Sequence, residues 1–211
     1  AAIFNLYIPL TGVDHRMPKT NPIFLVHDFY HCLRLLWQDR LGQISLAVTT
    51  LFWGAGATLQ FIVLKWAAVA LGLSLSQASY LQAITAIGIA VGALAAARVV
   101  PLNRAVSVLP VGIAMGLVVI AMVFVNYLPL VVALLILIGS LAGFFVVPMN
   151  ALLQHRGHIL MGAGHSIAVQ NFNENLSILV MLSLYALLIR LDFSIYAVIV
   201  LFGVFVTVTM L

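Results

Sequence analysis

The 211-residue sequence is poor in charged residues, and this deficit is the first limit on its fold. Only 7% of its residues are Asp, Glu, Lys or Arg, whereas 64% are hydrophobic. A soluble globular domain has about 25% charged residues, so this chain has too few polar side chains to cover a water-facing surface. The same deficit excludes a disordered chain and a nucleic-acid-binding protein, although the formal net charge is +4. We therefore expect an all-α fold, a polytopic membrane helical bundle.

Cysteine is also scarce, and three common catalytic motifs are absent from the sequence. The single cysteine, Cys32, excludes internal disulfides and a cysteine-based metal cage. His155 and His158 flank Arg156, but two histidines are too few ligands for a metal site, so we interpret this stretch as a solvated loop. For His165, a gating role and plain packing both stay open. The sequence has no Ser-His-Asp arrangement, Walker loop or HExxH motif. We expect no enzymatic activity, no metal and no cofactor.

The first 43 residues differ in composition from the rest. Residues 1–10 are an apolar run about half as long as a membrane span requires, without a starting Met, and we expect the end of a truncated transmembrane helix. Residues 11–43 are expected to form a cytoplasmic linker with an amphipathic helix, capped by Asn21 and beginning at Pro22. This helix should lie on the membrane surface or against the transmembrane bundle. Its apolar face is expected to hold Val26, Phe29, Tyr30, Leu33, Leu36 and Trp37.

Residues 44–211 are expected to form a six-helix transmembrane bundle. The six apolar segments lie near residues 44–69, 78–97, 105–125, 128–152, 161–189 and 193–211, with short polar turns between them, including residues 154–158. When the turns are assigned alternately to the two sides, one side holds Arg16, Lys19, Arg34, Arg40, Arg98, Arg104 and Arg156. The positive-inside rule places that side in the cytoplasm. Six spans after such a linker are typical of the second half of a six-plus-six transporter.

Glycines recur at the GxxxG spacing in three of these segments. The pairs are Gly88 and Gly92, Gly112 and Gly116, and Gly139 and Gly143. Small residues at this spacing let two helix backbones approach closely. The pairs could serve either as sliding contacts in a transport cycle or simply as close packing.

Glu174 is the strongest functional signal in the sequence, because it lies near the middle of an apolar segment. An ionisable side chain at that depth costs about 3 kcal/mol or more by insertion scales, and it usually faces a cavity or a partner. Gln170 and Asn171 lie three or four residues before it, on the same helix face, and Asn173 and Asn175 extend the polar band. We expect Glu174 either to face an aqueous pathway or to be paired inside the protein.

Gln60 and Lys65 are polar residues of the first full segment. They are five residues apart and therefore point to different faces of a helix. Lys65 either extends towards the outer membrane interface beside Trp66, or it turns inward, where it would meet a phosphate or pair with Glu174.

Three stretches of the chain resemble a known family. The sequences TLFWGAGATLQF, GFFVVPMNALLQHRG and GAGHSIAVQNFNEN are similar to those of the bacterial lysophospholipid transporter family, a branch of the major facilitator superfamily. The resemblance extends over nearly the whole chain and implies the C-terminal six-helix half of such a transporter, in the bacterial inner membrane. It further implies movement of lysophosphatidylethanolamine and lysophosphatidylglycerol to the cytoplasmic leaflet. There an acyltransferase/acyl-carrier-protein synthetase would reacylate them, and an N-terminal half would complete the transporter.

The resemblance also assigns expected roles to particular residues. Glu174 matches the family's glutamate, whereas Gln60 stands where the family has an arginine and Lys65 where it has an apolar residue. We expect Glu174 to receive an ethanolamine ammonium or to hold a gate ion pair, and Lys65 or Gln60 to meet the phosphate. Two other functions stay open: a general facilitator of a small soluble solute or drug, and a membrane scaffold that recruits an acyltransferase.

Overall fold

The structure, a computed structural model, describes residues 22–210 and consists of helices joined by short turns. Within that range it contains no β-strand. The α-helices are α1 (Pro22–Gln38), α2 (Arg40–Leu71), α3 (Leu75–Val99), α4 (Leu109–Ala121), α5 (Leu128–Met161), α6 (Ala163–Arg190) and α7 (Ile195–Thr209). The short 3-10 helices Leu102–Val108 and Met122–Phe124 flank α4. The predicted all-α membrane bundle is confirmed. The expected helix end at residues 1–10 and the cap at Asn21 lie outside the described residues, and the division at residue 43 stays a prediction.

Five helical segments are long and apolar enough to cross a membrane. They are α2, α3, the Leu102–Phe124 segment that contains α4, α5 and α6. The sixth predicted span corresponds to α7, an apolar helix of 15 residues. At 1.5 Å per residue α7 is about 23 Å long, which is shorter than the hydrocarbon core of about 30 Å. It starts only at Ile195 because Asp192 has a left-handed φ of 59° and Ser194 caps the first turn.

The predicted turn at residues 154–158 is wrong, because α5 continues through it to Met161. Polar side chains beyond the bilayer do not break a helix unless the backbone is interrupted. The interruption comes at Gly162, whose φ of 82° suits glycine and separates α5 from α6.

The transmembrane helices pack in pairs whose contacts fix their relative direction. Helices α3 and α5 run parallel, since Gly88 lies against Ile136 and Gly92 against Ser140. Helices α4 and α7 run antiparallel, since Gly112 lies against Met210 and Gly116 against Gly203 and Thr207. A Cβ atom at Gly92 or Gly116 would overlap the neighbouring helix, and so would one at Gly139 or Gly143. The GxxxG pairs are therefore sites of close helix packing.

Helices α2 and α6 also run parallel, and this register locates the candidate site. Near their first turns Leu46 and Val169 belong to one buried apolar cluster. Further along, Gly54 lies against Ser177 and Met181. Because residue numbers increase in the same direction along both helices, the depths of α2 and α6 residues within the bundle can be compared.

Helix α1 packs against the transmembrane bundle, which confirms one of the two predicted positions. Cys32 and Leu36 are buried with Leu46, Leu153 and Val169, and Phe29 and Leu33 pack around them. The other three residues of the predicted apolar face, Val26, Tyr30 and Trp37, are exposed. They lie further round the helix, because each residue advances about 100°. The buried stripe is therefore narrower than predicted and includes Cys32.

The basic residues of the helix ends collect at one end of the bundle. Arg40 begins α2, Arg98 lies in the last turn of α3, Arg104 lies in the following 3-10 helix and Arg156 lies near the end of α5. We call this the basic end. Arg190, in the last turn of α6, lies at the opposite end. The orientation of the basic end in a membrane stays a prediction from charge.

Candidate transport site

The carboxylate of Glu174 lies near mid-length of α6 and accepts a hydrogen bond from the amide of Gln170 on the same helix. Glu174 is half-buried, and Gln170, one turn before it, is buried. The Gln170 Nε2 atom donates to Glu174 Oε1 at 2.8 Å and also lies 3.3 Å from Asn150 Oδ1 of α5. We call Asn150, Gln170 and Glu174 the polar cluster. The predicted proximity of Gln170 and Glu174 is present, at the i, i+4 spacing.

The polar cluster contains a carboxyl group without a cationic partner among the residues that the structure describes. Among residues 22–210, the ion pairs are Arg156 with Asp39 and His165 with Asp28, and neither includes Glu174. An ionised carboxylate that is partly removed from water is stabilised by hydrogen bonds only in part. The cluster can therefore accept a cation, such as the ammonium of a ligand, with a gain in electrostatic energy.

The side chains of Asn173 and Asn175, near Glu174, bond to the backbone of their own helix. Asn173 donates from Nδ2 to the Val169 carbonyl at 2.8 Å, and Asn175 donates to the Asn171 carbonyl at 2.7 Å. Both amides thus bond to their own helix and make no hydrogen bond to Glu174. Asn171 and Asn175 are exposed at mid-helix. Exposed amides at this depth are unfavourable against acyl chains, so this side of α6 suits water or another polypeptide.

Asn150 is the member of the polar cluster that sequence reasoning did not include in the site. It lies two residues after Pro148, inside α5. The sequence signal was a polar residue beside a proline in an otherwise apolar segment. Its pairing with Gln170 depends on how α5 and α6 pack, and periodicity along one helix does not contain that information.

Lys65 is not close enough to Glu174 to pair with it in this structure. In the parallel register of α2 and α6, Gly54 is level with Ser177. Lys65 is therefore about 14 residues, or about 21 Å along the helix axis, beyond the level of Glu174. Its side chain is exposed near the end opposite to the basic end. Gln60 is also exposed, and its carbonyl accepts a hydrogen bond from Gln82 Nε2 at 2.8 Å.

An apolar cavity of about 390 Å³ lies among the transmembrane helices, beside the polar cluster. Its lining includes Ile178, which is one turn beyond Glu174, and Phe205 of α7. Gln60 and Gln82 are among its few polar lining residues. The described lining does not include Glu174, so the charged and apolar features are adjacent but separate.

At the basic end, an ion pair that the sequence did not reveal joins α2 to α5. Arg156 donates from Nε to Asp39 Oδ2 at 2.9 Å, and a terminal guanidinium nitrogen donates to Oδ1. Asp39 also caps α2 by accepting from the Gly42 N–H at 2.7 Å. The hydrogen bond from Arg156 lowers the pKa of Asp39 against the opposing effect of burial, and the Gly42 bond lowers it further.

The chain was compared with known families, solved structures and curated proteins. No family model matches it, and no solved structure matches it. It is 47% identical over 199 residues to the lysophospholipid transporter LplT of Yersinia pestis (strain Pestoides F). The corresponding protein of Yersinia pseudotuberculosis serotype O:3 (strain YPIII) has the same identity over the same length. These matches cover 94% of the chain and 49% of each relative, so the chain spans about half the length of the curated relatives it matches. Over nearly its whole length, the chain is therefore a homologue of the lysophospholipid transporter LplT, and a multi-pass membrane protein.

Proposed function

We propose that this chain forms one wall of a pathway that moves lysophospholipids across a membrane. The observation that carries the proposal is the polar cluster, in which Glu174 is half-buried at mid-span and has no ion-pair partner among residues 22–210. The relatives named lysophospholipid transporters support the substrate class. A second six-helix unit, as in a six-plus-six transporter, would supply the opposite wall.

In this proposal Glu174 receives the head group of the substrate. A lysophospholipid has one apolar chain and a polar head, and only the head needs compensation when it crosses about 30 Å of hydrocarbon. The ammonium of lysophosphatidylethanolamine would donate to the Glu174 carboxylate, a charge-assisted contact. Gln170 and Asn150 would keep the carboxylate in position. Lysophosphatidylglycerol, which has no ammonium, would depend less on Glu174.

The remaining predicted site residues have lesser roles in the proposal. Lys65 and Gln60 lie towards the end opposite to the basic end. There they can contact the phosphate before the head group reaches Glu174. Asn171 and Asn173 line the same stretch of α6 and contribute polarity.

We also propose on which side of the membrane the lysolipid is delivered and which enzyme uses it there. The basic end would face the cytoplasm of a bacterial inner membrane, as the positive-inside rule requires. An acyltransferase/acyl-carrier-protein synthetase on that side would then reacylate the delivered lysolipid.

The test is flipping of a labelled lysolipid by the intact protein in vesicles. We expect Glu174→Ala to reduce flipping of lysophosphatidylethanolamine about 10- to 100-fold, the range that corresponds to the loss of a hydrogen bond to a charged group. Glu174→Gln, which keeps a partner for Gln170, should also be impaired, whereas Asp192→Asn, at an exposed turn, should be normal. Normal flipping by Glu174→Ala would remove the proposed role. Absence of flipping by the wild-type protein, with transport of a soluble solute instead, would favour a general facilitator.

A further inference from the structure

Three side chains with metal-binding atoms meet at the basic end, outside the polar cluster. Asp28 and Cys32 come from α1, and His165 comes from the first turn of α6. The His165 Nε2 atom lies 2.9 Å from Asp28 Oδ2. One ligand atom from each of the three residues lies within 4.8 Å of the other two. We call them the α1–α6 cluster.

The surrounding packing holds the α1–α6 cluster together. Asp28 and Cys32 are four residues apart, so they share one face of α1. Cys32 is 5% exposed within the apolar contacts that attach α1 to the bundle. Phe29 of α1 stacks edge-on against Phe172 of α6, with ring centroids 5.0 Å apart. This packing therefore lets the three side chains approach one metal ion without a large movement of α1 relative to α6.

The chemistry of the three ligands fits a borderline divalent cation, and zinc best. Thiolate sulfur, imidazole nitrogen and carboxylate oxygen are the usual zinc ligands, whereas magnesium and calcium prefer oxygen alone. Tetrahedral zinc places such ligand atoms about 3.3–3.6 Å apart, given bonds of about 2.0–2.3 Å. The separation of 2.9 Å is about 0.4 Å shorter than this range, and separations of up to 4.8 Å exceed its lower end by about 1.5 Å or less. Side-chain rotations can supply these changes. His165 and Asp28 are partly exposed, so water can fill the fourth position.

We propose that the α1–α6 cluster is a Zn²⁺ site with Cys32, His165 and Asp28 as protein ligands. On binding, the Cys32 thiol releases its proton to solvent and ligates as the thiolate, with no change in oxidation state. The metal takes the place of the direct contact between Asp28 and His165. It connects α1 to α6, the helix that carries Glu174 about 14 Å further along its axis. The site does not depend on the lysolipid function.

The test uses the purified, chelator-treated protein and Co²⁺ as a spectroscopic substitute for Zn²⁺. A thiolate ligand gives bound Co²⁺ a charge-transfer absorption that oxygen and nitrogen ligands do not give. We expect one Co²⁺ per chain with this absorption, and its displacement by Zn²⁺. Cys32→Ser should abolish the absorption, and His165→Gln and Asp28→Asn should each weaken binding at least about tenfold.

The matched control is His158→Gln, which removes an exposed histidine at the same end of the bundle but outside the α1–α6 cluster. It should bind Co²⁺ as the wild-type protein does. Thermal unfolding of every variant without metal, compared with the wild type, identifies a loss of binding caused by misfolding. The proposal is overturned if the wild-type protein gives no thiolate absorption. It is also overturned if folded His165→Gln binds Co²⁺ with unchanged affinity. Neither outcome bears on lysolipid flipping.

Discussion

At the residue scale, the structure separates what a helical period can predict from what it cannot. The contact between Gln170 and Glu174 follows from an i, i+4 spacing, and the sequence predicted it. The pair formed by Asp39 and Arg156 spans 117 residues. No local pattern relates such residues, because their proximity results from the packing of α2 against α5. The contact of His165 with Asp28 was missed for the same reason.

The ion pair at the basic end leads to a prediction about stability. Asp39→Asn should keep the N-cap of α2, since asparagine caps as well as aspartate, but it removes the charge that Arg156 contacts. Because both side chains are partly exposed, we expect a loss of about 1 kcal/mol in the free energy of unfolding. In a chain of this size, this corresponds to a lowering of the unfolding midpoint by about 2–4 °C. Thermal unfolding in detergent measures it.

The pH dependence of this effect has a defined sign. The pKa of Asp39 is lowered in the folded protein, chiefly by the hydrogen bond from Arg156. Its contribution to stability is therefore complete above the pKa of the unfolded carboxyl, about 3.9, and is lost as the pH falls through the lower folded value. The wild type and Asp39→Asn should differ in unfolding midpoint at pH 7 and converge in strong acid. An equal difference at both pH values would contradict the assignment.

At the element scale, hydropathy identifies the helices, and backbone chemistry sets their ends. The sequence predicted the apolar segments, but it placed a turn at residues 154–158 where α5 continues. Hydropathy indicates which residues lie within the bilayer. A helix ends where the backbone conformation changes, and here this happens at Gly162. The predicted third span also changes helix type, from the 3-10 helix Leu102–Val108 to α4. Pro110, in the first turn of α4, has no N–H, which is tolerated at that position.

The parallel packing of α3 and α5 gives a test at this scale. Gly92→Ala would place a Cβ atom against the Ser140 carbonyl of the neighbouring helix, a backbone atom that cannot move independently. We expect Gly92→Ala to destabilise the bundle by about 1–3 kcal/mol, as overpacking does. Gly56→Ala is the matched control, because nothing lies within 4 Å of its added Cβ atom. It should be neutral or slightly stabilising, since alanine favours a helix over glycine. Equal unfolding midpoints for the two variants would show that α3 and α5 do not pack in this way.

At the scale of the whole molecule, the distribution of charge predicts how the bundle sits in its membrane. Asn103, in the exposed connection after α3, lies at the basic end, and Ser76, in the first turn of α3, lies at the other end. In intact cells, a membrane-impermeant thiol reagent should label Ser76→Cys and not Asn103→Cys. The native Cys32 should contribute little background, because it is buried and burial raises its pKa. The reverse labelling pattern would invert the topology.

The bundle also combines two features that the proposed lysolipid pathway uses. The polar cluster offers a carboxylate at mid-span, and the adjacent cavity of about 390 Å³ offers an apolar surface. The sequence indicated Glu174 because its depth is costly, but it could not show that Lys65 lies about 21 Å away along the helix axis. In the proposed pathway, Glu174, which has no ion-pair partner among residues 22–210, contacts the head group of the substrate directly.

The most direct test of this claim compares two head groups on one variant. Flipping of lysophosphatidylethanolamine and lysophosphatidylglycerol is measured in vesicles that contain the wild-type protein or Glu174→Gln. We predict that the ratio of the two rates falls at least about tenfold in the variant, because only the ethanolamine head group has an ammonium for the carboxylate to contact. An equal loss for both lipids would instead indicate a gate or a structural role, and unchanged flipping of both would contradict any role for Glu174 in transport.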